Sequence, residues 1–396
     1  MKAEKAEKLD LFSILPAEII RKIFQYNEPS TKADYLQYYG NILSLKKEFR
    51  DVLDTRVEEQ CGDPSTTMMN LLWVIYKDVE SMKKNGNYRW NLERCLMNIT
   101  DVPTMRSVLA SVLSYMNTVK KLTYINLSHN KLTYLPETFA FGTSWTKLTE
   151  INLCNNDITY LPETFGTSWT HLNYIDLSHN KLKSLPNTFG VLWTNLTTIK
   201  LSNNILQHNV LLFLPERFGD SWTHLNSIDL SHNEFTFLPE RFGEKWTMLT
   251  EINLRHNQLT ALPETFGASW IHLQEINLSM NQLKVLPKTF GALWTQLEHI
   301  YLSYNELTSL PDNFGDQWKN LEHIHLNVSI PESFGASWTE LEIINLAHNR
   351  LKSIPPETSF GASTYIILND NQLTSFPGRA ICARVGVSVL VRRLED

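Results

Sequence analysis

From Leu122 to Pro377 the chain restates one phrase almost word for word: Leu122-x-x-Ile125-x-Leu127-x-x-Asn130-x-Leu132-x-x-Leu135-Pro136. Later copies open at Leu148, Leu172, Leu196, Leu225, Leu249, Leu273, Leu297, Leu321 and Leu341, usually 24 residues apart, and an eroded eleventh holds Ile366, Leu368, Asn371, Leu373, Phe376 and Pro377. A unit this short cannot bury an apolar face alone, so the copies must stack into a solenoid of about eleven coils. Position four is Ile in every copy, from Ile125 to Ile366, as suits the buried face of a short strand. Each coil then adds one strand to a parallel sheet. The Asn at position nine, missing only in the ninth copy, stands where the chain leaves the strand. A buried amide there can satisfy backbone groups of its own and neighbouring coils as a ladder.

After Leu-Pro comes Phe165-Gly166-x-x-Trp169, and Trp recurs at 145, 169, 193, 222, 246, 270, 294, 318 and 338. A spacing of four puts the Phe and Trp rings on one side of a helical turn, where they can plug the convex side of the core. Such a series could also stack ligands, but regular burial is the simpler reading. Two coils break the spacing: coil four carries about five extra residues around Gln207 to Phe213, and coil nine lacks four between Leu326 and Pro331. Indels of this kind fall on one side of a solenoid and can edge a binding surface.

The phrase resembles the leucine-rich repeat. The resemblance implies a curved parallel sheet with a binding surface on its concave face, so the fold class expected is α/β, a repeat solenoid over 119–377 with a carboxyl-terminal cap over 378–396. Val385 to Leu394 reads as strand-like, which makes Cys382 a cap residue and not a nucleophile. Positions three, five and seven point off the core by strand alternation. Position five is Asn or Asp in most coils (Asn126, Asn152, Asp176, Asp229, Asn253, Asn277, Asn345), which makes the departures informative: Lys200 in coil four, and Tyr301 and His325 in coils eight and nine beside His299 and His323. With strands about 4.8 Å apart and alternate residues about 6.6 Å apart, these last four form a small aromatic and imidazole square. Histidine pairs often bind metals, yet carboxylate partners are not evident in the pattern, and tyrosine favours a protein contact. Glu251, Glu275 and Asp229, with Glu150 and Asp176 farther off, could select a basic partner or simply keep the face solvated. The candidate target-binding residues are therefore His299, Tyr301, His323, His325, Asp229, Glu251, Glu275 and Lys200, with no metal and no cofactor.

The first 118 residues follow another plan. Leu11 to Tyr26 opens with Pro16 at a helix start and sets Ile19, Ile20, Ile23 and Phe24 on one stripe. Asn27, Pro29 and Ser30 break that helix, a second spans Lys32 to Leu43, and a third starts near Ser44 with Leu45, Phe49, Val52 and Leu53 apolar. Leu15-Pro16-Ala17-Glu18-Ile19 and the later Lys46-Lys47-Glu48-Phe49-Arg50 resemble the F-box, although the stretch from Ile23 to Phe49 is several residues longer than usual. The resemblance implies an all-α F-box-like domain over 8–55 that docks on the Skp-type adaptor of a cullin ubiquitin ligase through Leu15, Pro16, Ile19, Ile20, Ile23 and Phe24. The bland alternative is a helical cap on the first coil. Residues 56–118 already supply one, with helices expected at Met68 to Met82, Trp90 to Asn98 and Met105 to Met116 between turn signals such as Asn85-Gly86-Asn87.

Composition narrows the function classes. A net charge of -6 and a pI near 6.1 offer no basic patch for nucleic acid or anionic lipid. No apolar run approaches a membrane span, and the charged amino end does not lead into a signal-peptide core. Cys61, Cys95, Cys154 and Cys382 lack motif spacing and read as reduced thiols. Glycans on Asn126-Leu-Ser128 or Asn277-Leu-Ser279 would block the sheet face, so a cytoplasmic setting is expected. No phosphate loop, nucleophile elbow or Cys/His metal spacing stands out. The expectation is a non-catalytic F-box-type receptor that holds an adaptor and a target protein. Its Leu-Pro-x-x-Phe-Gly phrase and near-identical copies resemble the repeat effectors that intracellular bacterial pathogens deliver into host cells.

Overall fold

Isoleucine at position four becomes the buried centre of a three-residue strand in every copy, because its branched side chain fits a pleat covered on one face. The computed structural model describes residues 88–94, 121–135, 145–204, 214–326, 338, 340–346, 365–368 and 389–390. Its strands are β1 (Arg89–Asn91), β2 (Tyr124–Asn126), β3 (Glu150–Asn152), β4 (Tyr174–Asp176), β5 (Thr198–Lys200), β6 (Ser227–Asp229), β7 (Glu251–Asn253), β8 (Glu275–Asn277), β9 (His299–Tyr301), β10 (His323–His325), β11 (Ile343–Asn345), β12 (Tyr365–Ile367) and β13 (Val389–Leu390). They form one 13-stranded sheet in chain order. Neighbours pair in parallel and in register, so Ile151 lies beside Ile175 and Ile252 beside Ile276. From β3 to β10 the chain completes about eight consecutive turns of a parallel β-solenoid. The count of eleven rests on the sequence, since much of the tenth and eleventh copies lies outside the described residues.

Two expectations are corrected. Trp90 to Asn98 was expected as a helix, but Arg89–Asn91 is β1 and pairs with β2, placing Trp90 beside Ile125 and Asn91 beside Asn126. Trp90 and Leu92 are fully buried, so this segment extends the sheet with an apolar residue at the isoleucine register. The aromatic turn is also not helical, and no helix occurs among the described residues. Successive tight turns replace it: Phe165 N–H donates to the Pro162 carbonyl at 2.9 Å, Trp169 N–H to Gly166 at 3.2 Å and Leu172 N–H to Trp169 at 3.1 Å. Gly166 takes a φ of +70°, a left-handed conformation that no helix continues through. The class of the described part is accordingly an all-strand-and-turn solenoid and not α/β. The expected F-box-like helices over 8–55, the helices at Met68 to Met82 and Met105 to Met116, and the length changes at 207–213 and 327–331 lie outside the described residues.

The rings still plug the core opposite the sheet. Phe242 meets Trp246 edge-on at 4.8 Å, while Phe242 and Phe266 stack at 6.2 Å and Trp246 and Trp270 at 6.2 Å in columns running coil to coil. From Trp193 onward each indole N–H donates to the carbonyl of the preceding coil's glycine, as Trp193 does to Gly166 at 2.9 Å and Trp338 to Gly315 at 3.0 Å. The buried donor is thereby satisfied where an unpaired one would cost about 1–3 kcal/mol. The asparagine ladder is present as well. Asn257 donates to the carbonyls of Leu230 and Leu254, both at 3.0 Å, and accepts the N–H of Phe235 at 3.2 Å. Asn281 repeats the pattern with Leu254, Leu278 and Leu259.

Candidate interaction face

Alternation leaves the side chains before and after each central isoleucine on the open face, and most are partly exposed. Position five has a local duty that the sequence pattern did not disclose. Its Asn or Asp accepts the N–H two residues later: Asn152 from Cys154 at 2.9 Å, Asp176 from Ser178 at 2.9 Å, Asp229 from Ser231 at 3.0 Å, Asn253 from Arg255 at 3.1 Å and Asn277 from Ser279 at 3.0 Å. The Asx turn leads into position eight, which has positive φ at His129, Asn155, His179, His232, His256 and Met280, and also at Asn203 and Tyr304, where position five is Lys200 or Tyr301 and no such acceptor is present. The recurrent Asn and Asp at position five are therefore first of all fold-forming. Asp229 holds one carboxylate oxygen in that turn and has the other to offer a partner.

Position seven is also corrected. It was expected to face outward, but Ser128, Ser178, Ser202, Ser231 and Ser279 are buried, and the Ser178 hydroxyl donates to Asp176 at 2.6 Å. Positions three and five are then the principal presenting columns, with position seven still partly exposed at Cys154, Arg255 and Ser303. Lys200, exposed on β5, stands between Asp176 on β4 and Asp229 on β6. Lys200, Tyr301 and His325 bring no short acceptor to position five. At those coils a turn-forming hydrogen bond has given way to side chains of another chemistry.

The expected square assembles on β9 and β10. His299 pairs in register with His323, and Tyr301 with His325. The two imidazoles meet edge-on at 4.7 Å, Tyr301 meets His325 edge-on at 5.0 Å, and His299 lies parallel to Tyr301 at 6.5 Å. Each position-three histidine has a carboxylate from the following coil: His299 Nε2 is 3.7 Å from Glu322 and His323 Nε2 is 3.8 Å from Glu342. These partners escaped the sequence reading because they precede the strand, at position two, where alternation alone does not reveal a reach across coils. Burial pushes the Tyr301 phenol up, helped by the charge of Glu275, and burial pushes His325 down, helped by His323. Glu275 and Glu251 are also in register, and burial with the Glu251 charge raises the Glu275 carboxyl while His299 lowers it. Among the described residues no group of three or more His, Cys, Asp or Glu could hold a metal ion. The adaptor candidates Leu15, Pro16, Ile19, Ile20, Ile23 and Phe24 lie outside the described residues.

The class defined by this geometry is a leucine-rich-repeat solenoid, a fold that typically serves as a non-catalytic scaffold for binding proteins. Models of the family described as Leucine rich repeat match residues 146–206 and 247–294, and a second model of that description matches 121–141 and 296–317. No curated protein matches the chain. Among solved structures, a chain from the Toll–Spatzle complex, a molecular hub in Drosophila development and innate immunity, is 22% identical with a TM-score of 0.49, covering 67% of this chain and 43% of that one. The glycosylated form of that complex gives 20% identity and a TM-score of 0.47 over 64% of this chain and 45% of the other. This chain thus spans less than half the length of those chains. No helix among the described residues is long and apolar enough to cross a membrane.

Proposed function

We propose that the chain recognises a partner protein on the open sheet face, with the centre of recognition at β8 to β10. One observation carries this reading. His299, Tyr301, His323 and His325 interrupt an otherwise repetitive face, and at two of them the chain forgoes the Asx turn found at Asn152, Asp176, Asp229, Asn253 and Asn277. Surrendering a fold-forming contact for clustered aromatic and imidazole side chains is what a recognition hot spot requires. Changing Tyr301 and His325 to Ala should strip the partner from a pull-down while the melting transition stays cooperative. Recovery of every wild-type partner by that variant would move attention to Asp229, Glu251, Glu275 and Lys200.

A more specific reading is favoured by Leu15-Pro16-Ala17-Glu18-Ile19. The amino end would hold the Skp-type adaptor of a cullin ubiquitin ligase while the sheet face holds the target, and ubiquitin transfer would follow from proximity alone. If the repeat phrase reflects kinship with pathogen effectors, this activity would take place in the cytoplasm of a host cell. Each of Ile19, Ile23 and Phe24 would bring roughly 1.5–3 kcal/mol of apolar burial to the adaptor. The wild-type chain should co-elute with the purified adaptor on a sizing column, and Leu15→Ala, Pro16→Ala and Ile23→Asp combined should separate them with the repeats still folded. If wild type runs apart from the adaptor, the chain acts as a scaffold or decoy that occupies its partner without ubiquitin chemistry.

A further inference from the structure

We infer that the face from β7 to β9 is an arginine-binding site, in which Glu251, Glu275 and the ring of Tyr301 receive a guanidinium presented by a segment of the partner protein. The inference rests on the sheet-face reading above and names the chemistry of the partner.

The chain displays such an arrangement at its own amino end. Arg89 on β1 lies over the Tyr124 ring on β2, its Cζ 3.8 Å from the ring centroid, and a guanidinium nitrogen stands 3.6 Å from the Glu150 carboxylate on β3. A face-pointing aromatic and a face-pointing carboxylate one strand apart thus hold an arginine side chain across the strands. The same two side-chain types stand between β8 and β9 in a diagonal arrangement, Glu275 in register with His299 and Tyr301 two residues along β9, with Glu251 added beside Glu275 on β7. Here the strands supply no cation of their own: β7 to β10 carry Glu251 and Glu275 and neither lysine nor arginine. The nearby Arg255 has its guanidinium on the Ser279 hydroxyl at 3.4 Å.

Glu251 and Glu275 bring two like charges side by side on the sheet face. They stand in register on adjacent strands, and the Ser227 hydroxyl donates to Glu251 at 3.1 Å. Burial raises Glu275 and the Glu251 charge adds to it, while burial raises the Tyr301 phenol with help from the Glu275 charge. A guanidinium offsets the repulsion between the two carboxylates, since it is always charged, forks onto two carboxylate oxygens and stacks on an aromatic face. Lysine offers a more strongly hydrated point charge, which fits the ring less well. His299, His323 and His325 border the site on one side, with Glu298, Glu322 and Glu342 behind them at position two. Protonated imidazoles beside Glu275 would compete with the arriving guanidinium, so binding should be strongest at neutral pH and weaken on acidification.

The test is a selection of a random peptide library on the full chain at neutral pH. Enriched peptides should share an arginine whose replacement by citrulline, uncharged and of the same shape, weakens binding about tenfold or more. Glu275→Gln and Tyr301→Leu should each weaken the same peptide, whereas Glu216→Gln, on the turn side, should not. Peptides that lose binding in the Tyr301 and His325 double Ala variant but ignore citrulline and Glu275→Gln would overturn the arginine site and leave the sheet-face reading standing. Peptides indifferent to all of these changes would overturn both readings, and a selection that enriches no arginine-bearing sequence would overturn the arginine site.

Discussion

Trp270 donates its indole N–H to the carbonyl of Gly243 at 2.9 Å, and a Cβ placed on Gly243 would come 2.5 Å from Cζ2 of that same ring. The glycine is held by two independent demands, a φ of +75° and contact with the next coil's indole. Gly243→Ala should therefore combine about 1–2 kcal/mol of left-handed strain with roughly 1–3 kcal/mol of overpacking. Trp246→Ala, which empties a fully buried site between two stacked neighbours, should cost on the order of 3–5 kcal/mol. Denaturant midpoints measure both, and an unchanged midpoint for the Trp246 variant would mean that the ring stands in solvent.

The asparagine ladder predicts an unusual ranking of isosteres. Asn257→Asp preserves shape but turns a carboxylate oxygen toward the Leu230 and Leu254 carbonyls where Nδ2 now donates. Its cost should equal or exceed that of Asn257→Ala, because burying a charge against acceptors is worse than leaving them unpaired, itself about 1–3 kcal/mol per group. An aspartate variant as stable as wild type at neutral pH would contradict the ladder.

At position five, stability and recognition should trade against one another. Lys200→Asn supplies the short acceptor that the other coils use, so it should stabilise the fold by about 0.5–1.5 kcal/mol. Asp229→Ala removes such an acceptor from the Ser231 N–H and should lower stability by a similar amount. Thermal melts of the pair should move in opposite directions.

His325 makes stability depend on pH. Burial and His323 lower its folded-state value from the ordinary 6.5, so the unfolded chain takes up the proton more readily than the folded one. The contribution is fully present above about pH 6.5 and is lost as acidification carries the pH through the depressed folded value. His232, lowered by burial, His256 and Arg255, acts with the same sign. His325→Gln should flatten the fall of the melting temperature between about pH 7 and pH 5, and a steeper fall would show that the ring is better solvated folded than unfolded.

The sheet, its register and the buried rings were legible because each rests on one residue type at one spacing: isoleucine every coil for the strand, asparagine for the ladder, tryptophan for the plug. The square at His299, Tyr301, His323 and His325 was legible for the same reason, as a break in that regularity. What the sequence did not disclose depends on backbone conformation or on reach between coils. Phenylalanine and tryptophan four apart suit a helical turn equally well, and only the left-handed glycine between them rules it out. Trp90 carries no leucine-rich phrase around it, so its place beside Ile125 emerges only from pairing. Glu322 and Glu342 precede their strands, and the strand period does not say that they meet His299 and His323 of the coil before.

The indole-to-glycine bond has a further consequence for how this surface can change over time. Glycine, tryptophan, phenylalanine, the position-four isoleucine and ladder asparagine fix each coil to its neighbours, and none of these sites is position three. A substitution there alters one address on the face, a strand's width from the next, without disturbing the lattice that carries it. Duplicating or deleting a whole coil shifts every downstream address by one step while the contacts at the join remain those of any other pair. Such an array can acquire new partners by local edits and by changes of length, because the residues that read the partner are not those that keep the coils together.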